Sequence, residues 1–350
     1  MIGCRHSLAD LDRMAIKFRQ EIDKEFKLRR RLSSWPTGDP LKSLMDYLSG
    51  NFDVLISGRP KDLEGLSKVA DGHFSSGVIQ MIGYFPFPNH KSGRPLNLKE
   101  QEKYAIRFLK LELKKVFNYD TDHNSFVAGK NGALAYRHAK RLSINTCPYC
   151  NAQFTYTIKT IRGKARPQFD HFLNKSLYPY LALSFYNLIP SCATCNSGGI
   201  KGSQKFSVTS HLHPFVDSIE GLFKFRTNIT AVDFLVSSKD FNLKLRPVPG
   251  ANSREKKRAT ISKEAFAIED RYKFHKDIAG DVLTMAYVYN NSAIEGLLSG
   301  LVEKSGKHIF KSKLEIKENL FGNYLQPANF HKRILSKLTA DIAEEFGIKV

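Results

Sequence analysis

Apolar residues return every three or four positions near the start of the chain, at Leu11, Ala15, Phe18, Ile22 and Phe26. That spacing predicts an amphipathic helix over 7–32, opened by Ser7 and Asp10 in the manner of a capping box. Its basic end, Lys27 to Arg31, suits a helix C-terminus and also reads as a solvated face or a phosphate contact. Prolines at 36, 40, 60, 86, 88 and 95 break residues 34–99, and no clear period emerges there. Helical spacing resumes over 99–117, with Ala105, Leu109, Leu113 and Val116 on one face. Between Phe223 and Leu245 the pattern favours strands, through Phe225, Ile229, Val232, Phe234 and Val236. RPVPGANSREKKR (246–258) reads as a polar linker. The remainder is mostly helical, and a last helix carries Ile334, Leu335, Leu338, Ile342 and Phe346 before Gly347 ends it.

Charge changes this picture of an ordinary globular protein. The 350 residues include 54 Lys plus Arg against 34 Asp plus Glu, a net charge of +20. Such a field attracts polyanions, nucleic acid first among them, although solvated lysines alone produce the same count. No apolar run approaches the ~20 residues of a membrane helix. The N-terminal MIGCRHSLADLDRM lacks the apolar core of a signal peptide. The expected location is cytoplasmic, where disulfides rarely persist.

Cysteine placement follows from that location. Four of the five cysteines form two CxxC pairs, Cys147/Cys150 and Cys192/Cys195, and read as metal ligands rather than bridges. Cys4 reads as a small residue near a loose terminus. Four thiolates favour zinc and leave no open coordination position, so the site is expected to be structural. A redox role is disfavoured, because no βαβ context surrounds either pair.

Between the pairs lie Phe169-Asp170-His171-Phe172, then Asn187, with Asn196 directly after Cys195. This order resembles the HNH, or ββα-metal, nuclease family in a zinc-stapled DH…N…N variant, over about 60 residues from Cys147 to Lys205. The resemblance implies that His171 is a general base and that Asn187 braces its loop. It implies that Asp170 and Asn196 bind a catalytic Mg²⁺ or Mn²⁺, with Asn196 at the start of the motif's last helix. Lys175 or Lys201 would contact phosphate, or would simply be solvated. Ser197-Gly198-Gly199 departs from the family pattern, since glycine disfavours helix, and leaves that last helix late or short. Tyr178, Tyr180, Phe185 and Tyr186 read as core. His211 and His213 read as packed or solvated, with a place behind the site as the alternative.

The implied architecture is α+β: a zinc-stapled ββα-metal core at 141–215 inserted between helical regions at 1–140 and 251–350, with a β-rich extension at 216–250. The longer pattern, with the segment NLFGNYLQPANFHKRILSKLTADIAEEFGI, also resembles HNH effectors of bacterial anti-phage systems of Septu and retron type, which implies a defence role and an ATPase partner. No Walker A pattern occurs here, so nucleotide hydrolysis would come from another chain. The function expected is metal-dependent cleavage of DNA. The alternatives are RNA cleavage and a non-catalytic zinc-stapled nucleic-acid-binding scaffold.

Overall fold

A computed structural model describes residues 6–229, 241–301 and 308–348. The periodic segment at the N-terminus forms two helices, α1 (Leu8–Phe26) and α2 (Leu28–Ser33), rather than one. Lys27 takes a left-handed conformation between them, and the Asp23 carboxylate accepts a hydrogen bond from the Arg29 N–H at 2.8 Å, starting the second helix afresh. Ser7 caps α1, accepting from the Asp10 N–H at 3.1 Å. Two of the four basic residues between 27 and 31 are engaged. Arg29 pairs with Asp53 at 2.6 Å, and Arg31 donates to the last carbonyls of the helix Leu98–Val116.

The proline-broken region is helical after all. It holds α3 (Lys42–Gly50), α4 (Phe52–Ser57) and the 25-residue α5 (Pro60–Tyr84). Pro60 occupies the first position of α5, where its missing N–H costs nothing. The other prolines lie outside the helices, so they delimit elements instead of interrupting them. α6 (Leu98–Val116) buries the expected face of Ala105, Leu109, Leu113 and Val116. α7 (Gly129–Leu142) follows, its start distorted by positive φ at Lys130, Asn131 and Gly132.

Among the described residues, three two-stranded antiparallel sheets are formed. β1 (Ile158–Lys159) pairs with β2 (Lys164–Ala165), and β3 (Gln168–His171) pairs with β4 (Leu188–Ser191). β5 (Phe223–Ile229) pairs with β6 (Phe241–Pro247). The apolar positions Val232, Phe234 and Val236 fall in 230–240, outside the described residues, as does Cys4. The linker is shorter than its composition suggests. Asn252 accepts from the Arg254 and Glu255 N–H groups and caps α8 (Ser253–Ala265), so residues from 253 onward are helical.

Beyond α8 come α9 (Ile268–Tyr272), α10 (Lys276–Val288), α11 (Asn291–Gly300), α12 (Lys313–Leu320) and α13 (Ser336–Glu345). Leu335 is left-handed at the start of α13, so Ile334 and Leu335 precede that helix instead of opening it. The structure is therefore mixed α+β, with helices before and after the short β3–β4 pair along the chain.

An aromatic cluster seats β3 on the N-terminal helices. The His138 ring of α7 lies 4.5 Å from Phe18 of α1, 5.0 Å from Phe169 of β3 and 5.3 Å from Phe185. Each buried aromatic removes a large apolar area from water, which fixes the strand against the helices. Tyr180, Phe185 and Tyr186 are buried core residues, as their spacing suggested, and Tyr178 is partly buried.

Candidate zinc-stapled hydrolytic site

Each CxxC pair lies on a tight turn. Cys147 N–H donates to Gln153 O at 2.9 Å, and Asn151 N–H donates back to Cys147 O at 2.8 Å. The second pair follows β4 directly. The four sulfurs are buried and lie within 4.8 Å of one another. Cys150 Sγ and Cys192 Sγ are 3.9 Å apart, far beyond the ~2.05 Å of a disulfide. Four thiolates at ~2.3 Å around one zinc would stand about 3.8 Å apart. The cluster is compatible with a structural zinc site.

The surroundings suit thiolates. Ala152 N–H points at Cys150 Sγ at 3.5 Å, and Cys195 N–H points at Cys192 Sγ at 3.4 Å. Within the cluster the shifts are unequal: hydrogen bonding led by Cys147 pulls Cys192 well below the ordinary thiol range and holds Cys150 at about 7, while burial and the neighbouring thiols push Cys147 and Cys195 up. Arg271 of α9 donates to Cys195 Sγ at 3.0 Å. Burial pulls that guanidinium's pKa down, but the charges of Cys150 and Cys195 more than reverse this. Its neighbour Tyr272 donates to Cys150 O at 2.6 Å. α9 thus braces both knuckles, an arrangement of outer partners that orients metal ligands.

The first knuckle also holds the C-terminal segment. Asn151, buried and at positive φ, donates to Phe330 O at 3.0 Å and Arg333 O at 3.2 Å. Its own carbonyl accepts from Leu335 N–H at 2.7 Å.

A cavity of about 690 Å³ opens beside the cluster, with Asp170, His171, Lys175, Asn196 and Lys201 all on its wall. Asp170 and His171 leave the strand toward different partners, as alternation requires. The buried Asp170 carboxylate accepts from Tyr149 Oη at 2.6 Å. It also pairs with Lys201 Nζ at 2.7 and 2.8 Å. Lys201 further donates to the carbonyls of His171 and Phe172. This lysine, a candidate phosphate contact by sequence, is therefore a buried ion-pair partner of Asp170.

His171 Nε2 meets Ala182 O at 3.1 Å. A carbonyl can only accept, so Nε2 carries the proton and Nδ1 is the lone-pair nitrogen. The ring packs edge-on against Tyr119 at 4.5 Å. Burial, reinforced by the charge of Lys175, lowers its pKa to about 3, so the imidazole is neutral at pH 7.

Asn187 braces the loop between them. Its Oδ1 accepts from Leu173 N–H at 2.6 Å, and its Nδ2 donates to Leu173 O at 3.0 Å and Leu181 O at 3.1 Å. That loop carries Ala182, the partner of His171.

Asn196 Nδ2 donates to Gln168 Oε1 at 2.9 Å. Gln168 shares a strand face with Asp170, so Asn196 is anchored on the Asp170 side. No regular helix follows it: residues 198–203 are turns. Gly202 sits at φ +49°, and a Cβ there would lie 2.5 Å from Gly198 O. That tight turn replaces the expected helix and delivers Lys201 inward.

Lys175 pairs with Asp120 and lies 4.7 Å from the Tyr119 ring centroid. His213 is a packing residue, its Nε2 on Tyr186 O at 2.9 Å and its Nδ1 on Phe215 N–H at 3.2 Å. His211 stacks on Phe206 at 3.8 Å.

A hard divalent cation prefers oxygen ligands. Asp170 and the Asn196 Oδ1 are of that kind. As arranged, however, the Asp170 oxygens are taken by the Lys201 ammonium and the Tyr149 hydroxyl. The residues do not fit a divalent ion unless Lys201 withdraws.

Sequence reasoning missed Tyr149, Gln168, Arg166 and Tyr119. Only Tyr149 carried a local signal, as the aromatic inside CPYC. Arg166 and Gln168 lie four and two residues before Asp170 with no motif to mark them, and Tyr119 reaches the site through a tertiary contact.

The chain is 34% identical over 77 residues to "Septu protein PtuB" of Bacillus thuringiensis, a stretch covering 22% of this chain and 27% of that protein. The chain thus matches only about a quarter of that relative's length. No protein-family model and no solved structure matches it.

Proposed function

We propose that the chain is an endonuclease of the HNH type that hydrolyses DNA phosphodiester bonds, working as the effector of a bacterial anti-phage system. The observation that carries this reading is the orientation of His171. With Nε2 committed to Ala182 O, the lone pair of Nδ1 is left for a water proton in a cavity whose wall also carries Arg166, and Lys175 paired with Asp120. A neutral imidazole can accept a proton from water while Arg166 and Lys175 offset charge developing on phosphorus-bound oxygens. A base held at about 3 is weak at neutral pH. Burial is the larger cause and persists with substrate bound, so a bound phosphodiester would move the imidazole upward only by the part that the Lys175 charge contributes.

The similarity to a Septu protein supports the defence role, and the ATPase partner from another chain is what the resemblance to Septu-type effectors implies. Dependence on Mg²⁺ or Mn²⁺ through Asp170 and Asn196 is the part of the reading that Lys201 opposes.

The experiment is side-by-side incubation of wild type and His171→Ala with plasmid, single-stranded DNA and tRNA, with and without Mg²⁺ or Mn²⁺. Wild type should cut DNA, and the variant should bind it without cutting. A variant that cuts at the wild-type rate contradicts the assignment, and tRNA as sole substrate makes the chain an RNase. The Asp170–Lys201 pair favours a second reading, a zinc-stapled nucleic-acid-binding protein without catalysis. Binding by wild type with no cutting under any metal would establish it.

A further inference from the structure

Beside the Asp170 cavity, α7 and the β1–β2 hairpin face each other across a second cleft of about 430 Å³. Lys130, Arg137 and Lys140 line it from the helix, and Lys159, Arg162 and Lys164 from the hairpin, with no carboxylate on its wall. Some of this charge is already engaged. Lys130 pairs with Glu25 at 2.7 Å, Arg137 approaches Glu21 at 3.7 Å, and Lys164 donates to Asn131. Lys140, Lys159 and Arg162 are exposed and have no acidic partner among the described residues. Like charges gathered in one concavity repel unless a polyanion fills it, and a concave wall focuses their field.

The cleft is continuous with the candidate site. Arg166 follows β2, and its guanidinium lies 5.8 Å from the Tyr136 ring of the cleft and 5.4 Å from the Phe169 ring of β3. It also lines the Asp170 cavity. The frame is built rather than loose. α7 is anchored by buried Leu134, Ala135, His138 and Ala139, and the hairpin turn is closed by Thr160 N–H to Gly163 O at 2.8 Å. At the tip, Ile161 is fully exposed between cations. An apolar side chain projecting from a basic hairpin has the character of a wedge between bases.

We propose that this cleft binds the phosphodiester backbone of a nucleic acid and leads it, past Arg166, to the cavity of Asp170 and His171. Its role as a path to a cutting centre rests on the nuclease reading, whereas binding in the cleft does not.

The test measures binding in the His171→Ala background, where cutting plays no part, so its failure is separable from failure of the nuclease reading. A 30-base-pair duplex DNA, the single strand and tRNA are titrated at several salt concentrations. The triple variant Lys140→Gln, Lys159→Gln, Arg162→Gln should bind at least one probe roughly tenfold to a hundredfold more weakly. Its salt slope on duplex should fall by about 2.7, near 0.9 per lost phosphate contact. The probe most affected identifies the strand type. A charge-matched control, Lys99→Gln, Lys103→Gln, Arg107→Gln on α6, should bind as the parent does. Unchanged binding and slope in the cleft variant on all three probes would overturn the proposal, as would equal weakening in the control. Unaltered melting temperature and zinc content in both variants secure the comparison.

Discussion

The hydroxyl of Tyr149, a residue inside the first CxxC loop, donates a 2.6 Å hydrogen bond to the carboxylate of Asp170. The knuckle therefore reaches the candidate hydrolytic site through a side chain, in addition to the chain link from Cys195 to Asn196. Burial, with the Asp170 charge beside it, raises the Tyr149 pKa well above its ordinary value, so the phenol remains a donor at any working pH. Its ring stacks on Phe266 at 4.2 Å, which fixes where the hydroxyl points.

Tyr149→Phe removes one hydrogen bond to a buried charge while keeping the ring. Such a bond contributes about 2 kcal/mol. Urea melts should show that loss with zinc content unchanged, and cutting should fall with it. A variant as stable and as active as wild type would mean the contact is incidental.

Lys201→Met strands the Asp170 charge in the interior, where loss of one partner costs roughly 3–5 kcal/mol. Mg²⁺ should then raise the melting temperature of the variant more than that of wild type, because the freed carboxylate can bind it. The double variant Lys201→Met, Asp170→Asn removes both charges and should recover much of the stability without the Mg²⁺ response. Equal Mg²⁺ shifts in all three proteins would disconnect Lys201 from cation binding.

Asn151→Ala should cost about 3 kcal/mol, since it removes several buried hydrogen bonds and leaves a left-handed backbone without the residue type that tolerates it. The bonds lost include those to Phe330 O and Arg333 O and the one accepted from Lys337 N–H. Hydrogen exchange should show the loss concentrated in α13, where protection equal to wild type would refute the docking role of this side chain.

Stability should fall as the solution is acidified below about pH 6.5. Burial holds His138 and His171 at about 3 and His213 at about 4, so the unfolded chain binds protons that the folded one refuses. Their contribution is complete above the unfolded value and is lost progressively down to the folded ones. Asp341 runs the other way. Burial raises it to about 6, so its term favours folding at low pH and is lost as pH rises toward that value. Near pH 5 these four groups together take up about two protons on unfolding, or roughly 3 kcal/mol per pH unit. Urea melts from pH 4.5 to 7 measure the slope, and a flat profile would rule out neutral burial of these imidazoles.

The chemistry of the cluster was legible because it is local. Two CxxC spacings, the Asp170-His171 dipeptide and Asn187 need only sequence order. Amphipathic faces such as Leu109 with Leu113 were legible for the same reason. The helices within 34–99 were hidden because prolines at element ends look the same in sequence as prolines that break an element. The inward turn of Lys201 depends on Gly202 adopting positive φ over Gly198, which composition only hints at. Arg271 and the C-terminal segment on Asn151 act across 76 to 186 residues of chain. No local spacing could have announced them.

The central claim, that a zinc staple holds a hydrolytic site in working order, is tested most directly by stepwise chelation with zinc release and DNA cleavage read on the same sample. The expected result is about one zinc per chain at the start and cutting lost in proportion to zinc, with no rescue by excess Mg²⁺ and recovery when zinc is returned. Zinc-free protein that remains folded and cuts at the full rate would contradict the claim, as would zinc-loaded protein that cuts no nucleic acid.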